Sequence, residues 1–160
     1  MTRPTRFLHH LGLALFLGSI CTFAVASGVP RPGDLAALLV ARQIISAGTH
    51  FLTLPGLALL LFSGLALAAV DHGRLKQTWV RVMLVVAILV VGNAALVVLP
   101  SVALATSLAA ASVQAGSLVE GYEKAYLTES VAGSINVLLA LLAVAAGVWR
   151  FGTASQHRAG

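Results

Sequence analysis

TWVRVMLVVAILVVGNAALVVLP, residues 78–100, holds one charged side chain, Arg81, in a run built mainly of Val, Leu and Ala. A helix rises about 1.5 Å per residue, so this stretch alone meets the roughly 20 residues needed to cross a hydrocarbon core. In water a helix that is apolar all round must be buried; in lipid it satisfies its own backbone groups and needs no polar face. Residues 78–100 therefore read as the body of a membrane span that continues to about residue 113.

Working outward gives three more apolar stretches, 7–29, 35–70 and 125–151, each long enough to span. The whole chain agrees. Its 160 residues are 59% hydrophobic and 9% charged, with mean hydropathy +0.96, whereas a soluble domain carries roughly 25% charge. The fold class is all-α: a polytopic four-helix membrane bundle forming a single transmembrane domain over 1–160. Arg3 and Arg6 ahead of an apolar run also suit a signal peptide ending near Ala24-Val25-Ala26-Ser27. The run is longer than the usual 7–15-residue apolar region of a signal, so a retained first helix is the reading. The second and third stretches exceed a span by a wide margin, and each contains a proline, Pro55 or Pro100. They are expected to kink or to project on one side, with residues 101–117 a candidate for a separate short helix after Pro100 that caps the bundle.

With four spans, Arg3, Arg6, Arg74, Lys76, Arg81, Arg150 and Arg158 fall on one side and only Arg31, Arg42 and Lys124 towards the other. The positive-inside rule then places both termini and the 71–78 loop in the cytoplasm, and the protein in the cell (inner) membrane. The net charge of +5 is spread between apolar runs rather than gathered with aromatics, so nucleic acid is not an expected partner. The partners expected are the lipid bilayer and a second copy or a larger membrane complex, since Ala109-Ala110-Ala111 and the small residues from 143 to 147 permit close helix contacts. The single cysteine, Cys21, excludes an internal disulfide and a CxxC motif.

Polar groups inside a bilayer are costly, so where they fall on each helix is informative. At about 100° per residue, Arg42, Ser46, Thr49, Thr53, Gly56 and Gly64 share one sector of the second helix, with His50 at its edge. On the fourth, Glu129, Gly133, Asn136, Ala140, Ala143 and Gly147 share another. His50 follows Arg42 by eight residues and Asn136 follows Glu129 by seven, about 11 Å along each axis. Two polar layers are expected: an Arg42–Glu129 ion pair, and a His50–Asn136 layer to which Asn93 of the third helix contributes. Such layers serve function or simply fix helix register.

Of the histidines, His72 and His157 fall in a loop and a tail and receive no role. His9 shares a face with Gly12 and Ser19 and is the better inward candidate than His10. A four-helix bundle suits haem and imidazole ligates its iron, so His9 and His50 are the candidate haem ligands. Their different depths imply that any haem takes only one of them, alone or with another ligand. Copper lacks the clustered methionines or histidines it needs. Nucleophilic catalysis and phosphate cradling lack a Ser/His/Asp set or a Gly-rich loop.

Leu8-His9-His10-Leu11-Gly12, with Gly18 six residues on, resembles the opening helix of the CopD-like and HemJ-like membrane proteins. Arg42 followed by Leu54-Pro55-Gly56 and Ser63-Gly64-Leu65 resembles their second helix, and Trp79 with Arg81 the start of their third. The resemblance singles out His9. HemJ-like proteins bind haem b and oxidise protoporphyrinogen, and CopD-like ones are associated with copper transport. Here Arg81 stands where the first branch usually has a lysine, and the metal-ligand clusters of the second are missing. The reading is thus a membrane bundle that binds haem b for redox or porphyrin chemistry. The alternatives are a small non-enzymatic subunit or assembly factor of a larger complex, and a copper or small-solute carrier.

Overall fold

The computed structural model describes residues 3–69 and 77–149. Among them lie α1 (Arg3–Gly28), α2 (Leu35–Gly48), α3 (Leu54–Ala69), α4 (Thr78–Asn93), α5 (Leu99–Ala115) and α6 (Tyr122–Trp149). Two five-residue π-helical turns, Thr49–Thr53 and Ala94–Val98, join α2 to α3 and α4 to α5 without a break. The result is four rods long and apolar enough to cross a bilayer: Arg3–Gly28, Leu35–Leu67, Thr78–Ala115 and Tyr122–Trp149. Arg74, Lys76, Arg150, Arg158, His72 and His157 lie outside the described residues.

Both prolines sit immediately after a π turn. The Leu54 amide bonds to the Thr49 carbonyl and the Leu99 amide to the Ala94 carbonyl, five residues back in each case; Pro55 and Pro100 follow directly. A proline removes one amide from the helical ladder and crowds the carbonyl four residues before it. A π turn widens the helix at that point, so the missing bond falls where the ladder changes register. This corrects the expectation for residues 101–117. They form no separate helix after Pro100, because α5 runs straight on from the π turn and packs lengthwise on α2 and α6 as part of the wall.

The bundle is held by four main seams, α1 on α3, α4 on α6, α2 on α5 and α5 on α6. α1 and α3 approach until backbone meets backbone at Gly12 and Gly56. Ser19 and Thr53 share a hydrogen bond of 2.8 Å in the same seam. Small residues and hydroxyls suit this role, since lipid gives helices no hydrophobic reason to associate and they must gain packing and hydrogen bonds instead. α2 and α5 meet α6 through Ala105, Ala109, Tyr122 and Ala125. At one end of the bundle, here the loop end, Asp34 caps α2 by accepting the Ala37 amide at 2.9 Å. α5 stops there at Gly116, whose φ of +70° closes the helix in the left-handed region. The opposite end, where α1 begins and α6 finishes, is the terminal end. Phe51, Phe62, Ile88 and Leu96 stand on the outer surface, as lipid-facing side chains do.

Candidate functional site

Among the described residues Arg42 is the largest side chain with under 2% of its surface exposed. One turn of α2 carries Ala41, Arg42 and Ile45 into the interior, and there Arg42 Nη2 donates to Glu129 Oε2 of α6. The other two guanidinium nitrogens, Nε and Nη1, are buried without a hydrogen-bond partner. Each such orphan costs about 1–3 kcal/mol, and groups of this kind in native proteins call for an explanation beyond stability. Thr106 of α5 approaches the Arg42 carbonyl, its hydroxyl 3.5 Å away. Tyr122 and Tyr126 stack beside the pair, with ring centroids 6.3 Å apart and planes 8° from parallel.

The second polar layer differs from expectation. Asn93 Nδ2 donates to Asn136 Oδ1 and to the Ala132 carbonyl, both at 2.8 Å, tying α4 to α6. His50 takes no part. It is exposed on the outer surface, where its Nδ1 donates to the carbonyl of Ser46 on its own helix at 2.8 Å. The buried face of α2 runs through Ala41, Arg42, Ile45 and Thr49, so its centre lies to one side of Ser46, and the residue after Thr49 turns out of the bundle. An expected His50–Asn136 layer is therefore replaced by an asparagine pair.

His9 faces inward. Its Nδ1 lies 3.0 Å from Ser63 Oγ. The Ser63 hydroxyl donates its one proton to the Leu59 carbonyl, so its oxygen receives a proton from His9 rather than giving one. In the tautomer that donates from Nδ1 to Ser63, the His9 lone pair is carried by Nε2. The ring rests against Gly64, whose missing Cβ would lie 3.6 Å from His9 Cε1. His10 is exposed and bonds the Arg6 carbonyl at 2.7 Å.

Three cavities follow one another along the bundle. At the loop end is a space of about 440 Å³ lined by Arg42, Arg31, Tyr122 and Tyr126. In the middle is one of about 340 Å³ lined by Glu129, Asn136, Thr49, Thr53 and Ser130. Ser27 and Tyr126 belong to both, so the ion pair and Tyr126 stand between them. Towards the terminal end a cleft of about 390 Å³ opens between α1 and α3 on one side and α4 and α6 on the other. Its walls are apolar except for His9 and His10, with Trp79 and Met83 contributed by α4. Met83 lies over Gly147, where an added Cβ would be 3.7 Å from its sulfur. Phe16 and Leu57 part this cleft from the middle cavity.

Arg42, Glu129, Asn93 and Asn136 thus line or bound the interior, His9 faces the cleft, and His50 does not. Tyr126 and Met83 carry no sequence expectation, and Ser63 enters only within the Ser63-Gly64-Leu65 resemblance, with no role attached. For Ser63 a signal existed: it lies seven residues, two helical turns, after Gly56, on the face that meets α1. Among the described residues no three His, Cys, Asp or Glu side chains gather into a metal cluster.

A family model described as "Predicted integral membrane protein (DUF2269)" matches residues 4–150. No curated protein and no solved structure matched the chain.

Proposed function

From the premise that the chain belongs to the DUF2269 family of integral membrane proteins, we propose that it binds haem b in the terminal-end cleft, with His9 as axial ligand, and serves electron transfer or porphyrin chemistry. The observation that carries this reading is the state of His9. Ser63 lies 3.0 Å from Nδ1 and orients the ring, and in the tautomer that donates from Nδ1 the Nε2 lone pair is the one free at the wall of an apolar cleft. A metal-ligating histidine characteristically has its other nitrogen held in this way, which sets the tautomer and the ring plane.

The residues present fit such a group in the cleft and nowhere else among the described residues. His9 would hold the iron through a ring nitrogen, and Met83, which lines the same cleft, is the soft donor available beside it. Trp79, Leu60 and Val86 give the porphyrin faces an apolar surround that excludes water. Bound there, haem would supply a one-electron couple whose potential an apolar site and a thioether ligand both raise. His50 is not the residue assigned to this cleft, since its ring is exposed, bonded to the Ser46 carbonyl of its own helix, and does not line it.

The same proposal places the terminal end in the cytoplasm, where the basic residues of the sequence concentrate, and the protein in the inner membrane. Reporter fusions at both ends test the orientation. For the cofactor, haemin is titrated into the purified chain and the Soret absorbance followed. Wild type and His50→Ala are expected to bind alike, His9→Ala to lose the band, and Ser63→Ala to bind about 10–100-fold more weakly. A wild type that leaves the spectrum of added haemin unchanged, or a His9→Ala protein that binds haemin as well as wild type, would overturn the reading.

A further inference from the structure

The loop-end cavity shares no lining residue with the cleft assigned to haem, and its lining includes Arg42, among the described residues the one buried cation whose hydrogen bonds are incomplete. Arg42 spends one nitrogen on Glu129, while Nε, with one N–H, and Nη1, with two, have no acceptor. Nothing in the packing requires this. An arginine needed only to fix helix register would be better served by a second carboxylate or by backbone carbonyls around the guanidinium. Glu129 answers it from the side of the middle cavity, so the loop-end side of the guanidinium faces no acid. Asp34, the one acid among the cavity's lining residues, caps α2 through Oδ1, which accepts the Ala37 amide, and makes no bond to Arg42.

The rest of the lining describes the missing partner. Arg31 lies in the connection that borders the cavity and adds a second cation to its wall. Leu38, Ile45, Leu118 and the stacked Tyr122–Tyr126 pair give it an apolar and aromatic body. A fully hydrated inorganic anion gains little from such walls, and a neutral acceptor makes no use of two guanidinium groups. A planar carboxylate matches arginine geometry, and an attached apolar body fills the remainder of the space.

We propose that this cavity is a binding site for a small monocarboxylate with an apolar or aromatic body, its carboxylate on Arg42 and its entry lined by Arg31. Arg42 lines the cavity and its Nε and Nη1 are buried without partners, so rotation of the guanidinium about Cδ–Nε is the movement that turns an N–H towards the ligand. Glu129 holds Nη2 from behind and limits that rotation, which makes it a positioning residue for the site.

The test uses the full chain in detergent micelles and sodium benzoate as probe, with benzamide and inorganic phosphate in comparison, read by calorimetric titration. Benzoate is expected to bind saturably, with benzamide and phosphate at least about ten-fold weaker, the worth of one charge-assisted hydrogen bond. Arg42→Gln should lower benzoate affinity by at least the same factor. Because removing a buried charge partner can unfold the bundle, Ser117→Trp provides a second variant. Ser117 is exposed and lines the cavity, so the indole should block benzoate while leaving the melting temperature unchanged. Equal binding of benzoate and benzamide, phosphate binding as tight as benzoate, or unaltered benzoate affinity in Ser117→Trp would each overturn the proposal. Haemin binding at His9 is unaffected in every one of these outcomes, so the two sites are judged separately.

Discussion

Gly12 of α1 and Gly56 of α3 bring two backbones into direct contact: a Cβ added at Gly12 would stand 2.8 Å from the Gly56 oxygen and 2.9 Å from the Leu60 nitrogen, and one at Gly56 would stand 2.9 Å from the Phe16 nitrogen. Backbone atoms cannot swing aside as a flexible side chain does. The closeness also sets the reach of the polar pairs on either side, Ser19 with Thr53 and His9 with Ser63.

Gly12→Ala should therefore force α1 and α3 apart and cost about 1–3 kcal/mol, the range for overpacking a close contact. Gly18→Ala on the same helix is the control, since a Cβ there meets nothing within 4 Å. It should be neutral or slightly stabilising, as alanine is the better helix former. Unfolding by denaturant in micelles measures both, and equal effects at the two positions would contradict the seam described. A loss of haemin affinity in Gly12→Ala alone would further tie His9 to this spacing.

The Arg42–Glu129 pair makes a different kind of prediction. Removing one partner leaves a buried charge unanswered, so Arg42→Met and Glu129→Leu should each cost about 3–5 kcal/mol. The double variant Arg42→Met/Glu129→Leu removes both charges and should be more stable than either single one, because the desolvation cost disappears with the attraction. Additive losses in the double variant would mean that the two side chains act separately.

Asn136 and His50 were expected in one layer and are found in opposite environments, which separates their substitutions. Asn136→Leu loses the bond from Asn93 Nδ2, although Ala132 O still receives that donor. The cost should be about 1 kcal/mol, typical of interhelical polar contacts in membranes. His50→Leu removes an exposed ring bonded only to its own helix, and a surface change of this kind should stay within about 0.5 kcal/mol. A larger loss at His50 than at Asn136 would place the histidine in the interior after all.

How far the sequence carried these conclusions depends on which signal each residue gave. The spans were legible because unbroken apolar runs leave no other stable state for the backbone. Arg42 and Glu129 were legible because each is the first ionisable group on its inward stripe, at matching depth. His50 was misplaced because the stripe was drawn through polar residues, Ser46 among them, whereas the buried face is centred on Ile45. The π turns could not be read at all. A uniform 100° step assumes one register throughout, and the extra residue in each turn shows only as a proline that fails to break the helix. His9 faces inward, on the face it shares with Gly12, but its partner Ser63 lies 54 positions away and no local pattern links the two.

The π turn at Thr49–Thr53 yields a prediction of its own, because the turn is an α-helix holding one residue too many. The Leu54 amide now reaches the Thr49 carbonyl across five residues. If Leu52, which is exposed, is deleted, the same donor and acceptor stand four residues apart and form an ordinary α-helical bond. Arg42 and Thr49 before the turn, and Gly56 and Ser63 after it, would then keep their faces. Deleting Ala58, an exposed residue inside α3, has no such slack to absorb. It rotates one half of the span by about 100° against the other and takes Gly56 or Ser63 out of the α1 seam. The Leu52 deletion should thus give a helical, monodisperse protein melting within a few degrees of wild type, about the shift of a 1 kcal/mol change, and the Ala58 deletion should not. Equal damage from both, by circular dichroism and thermal melting, would mean that the π turn is required rather than merely accommodated.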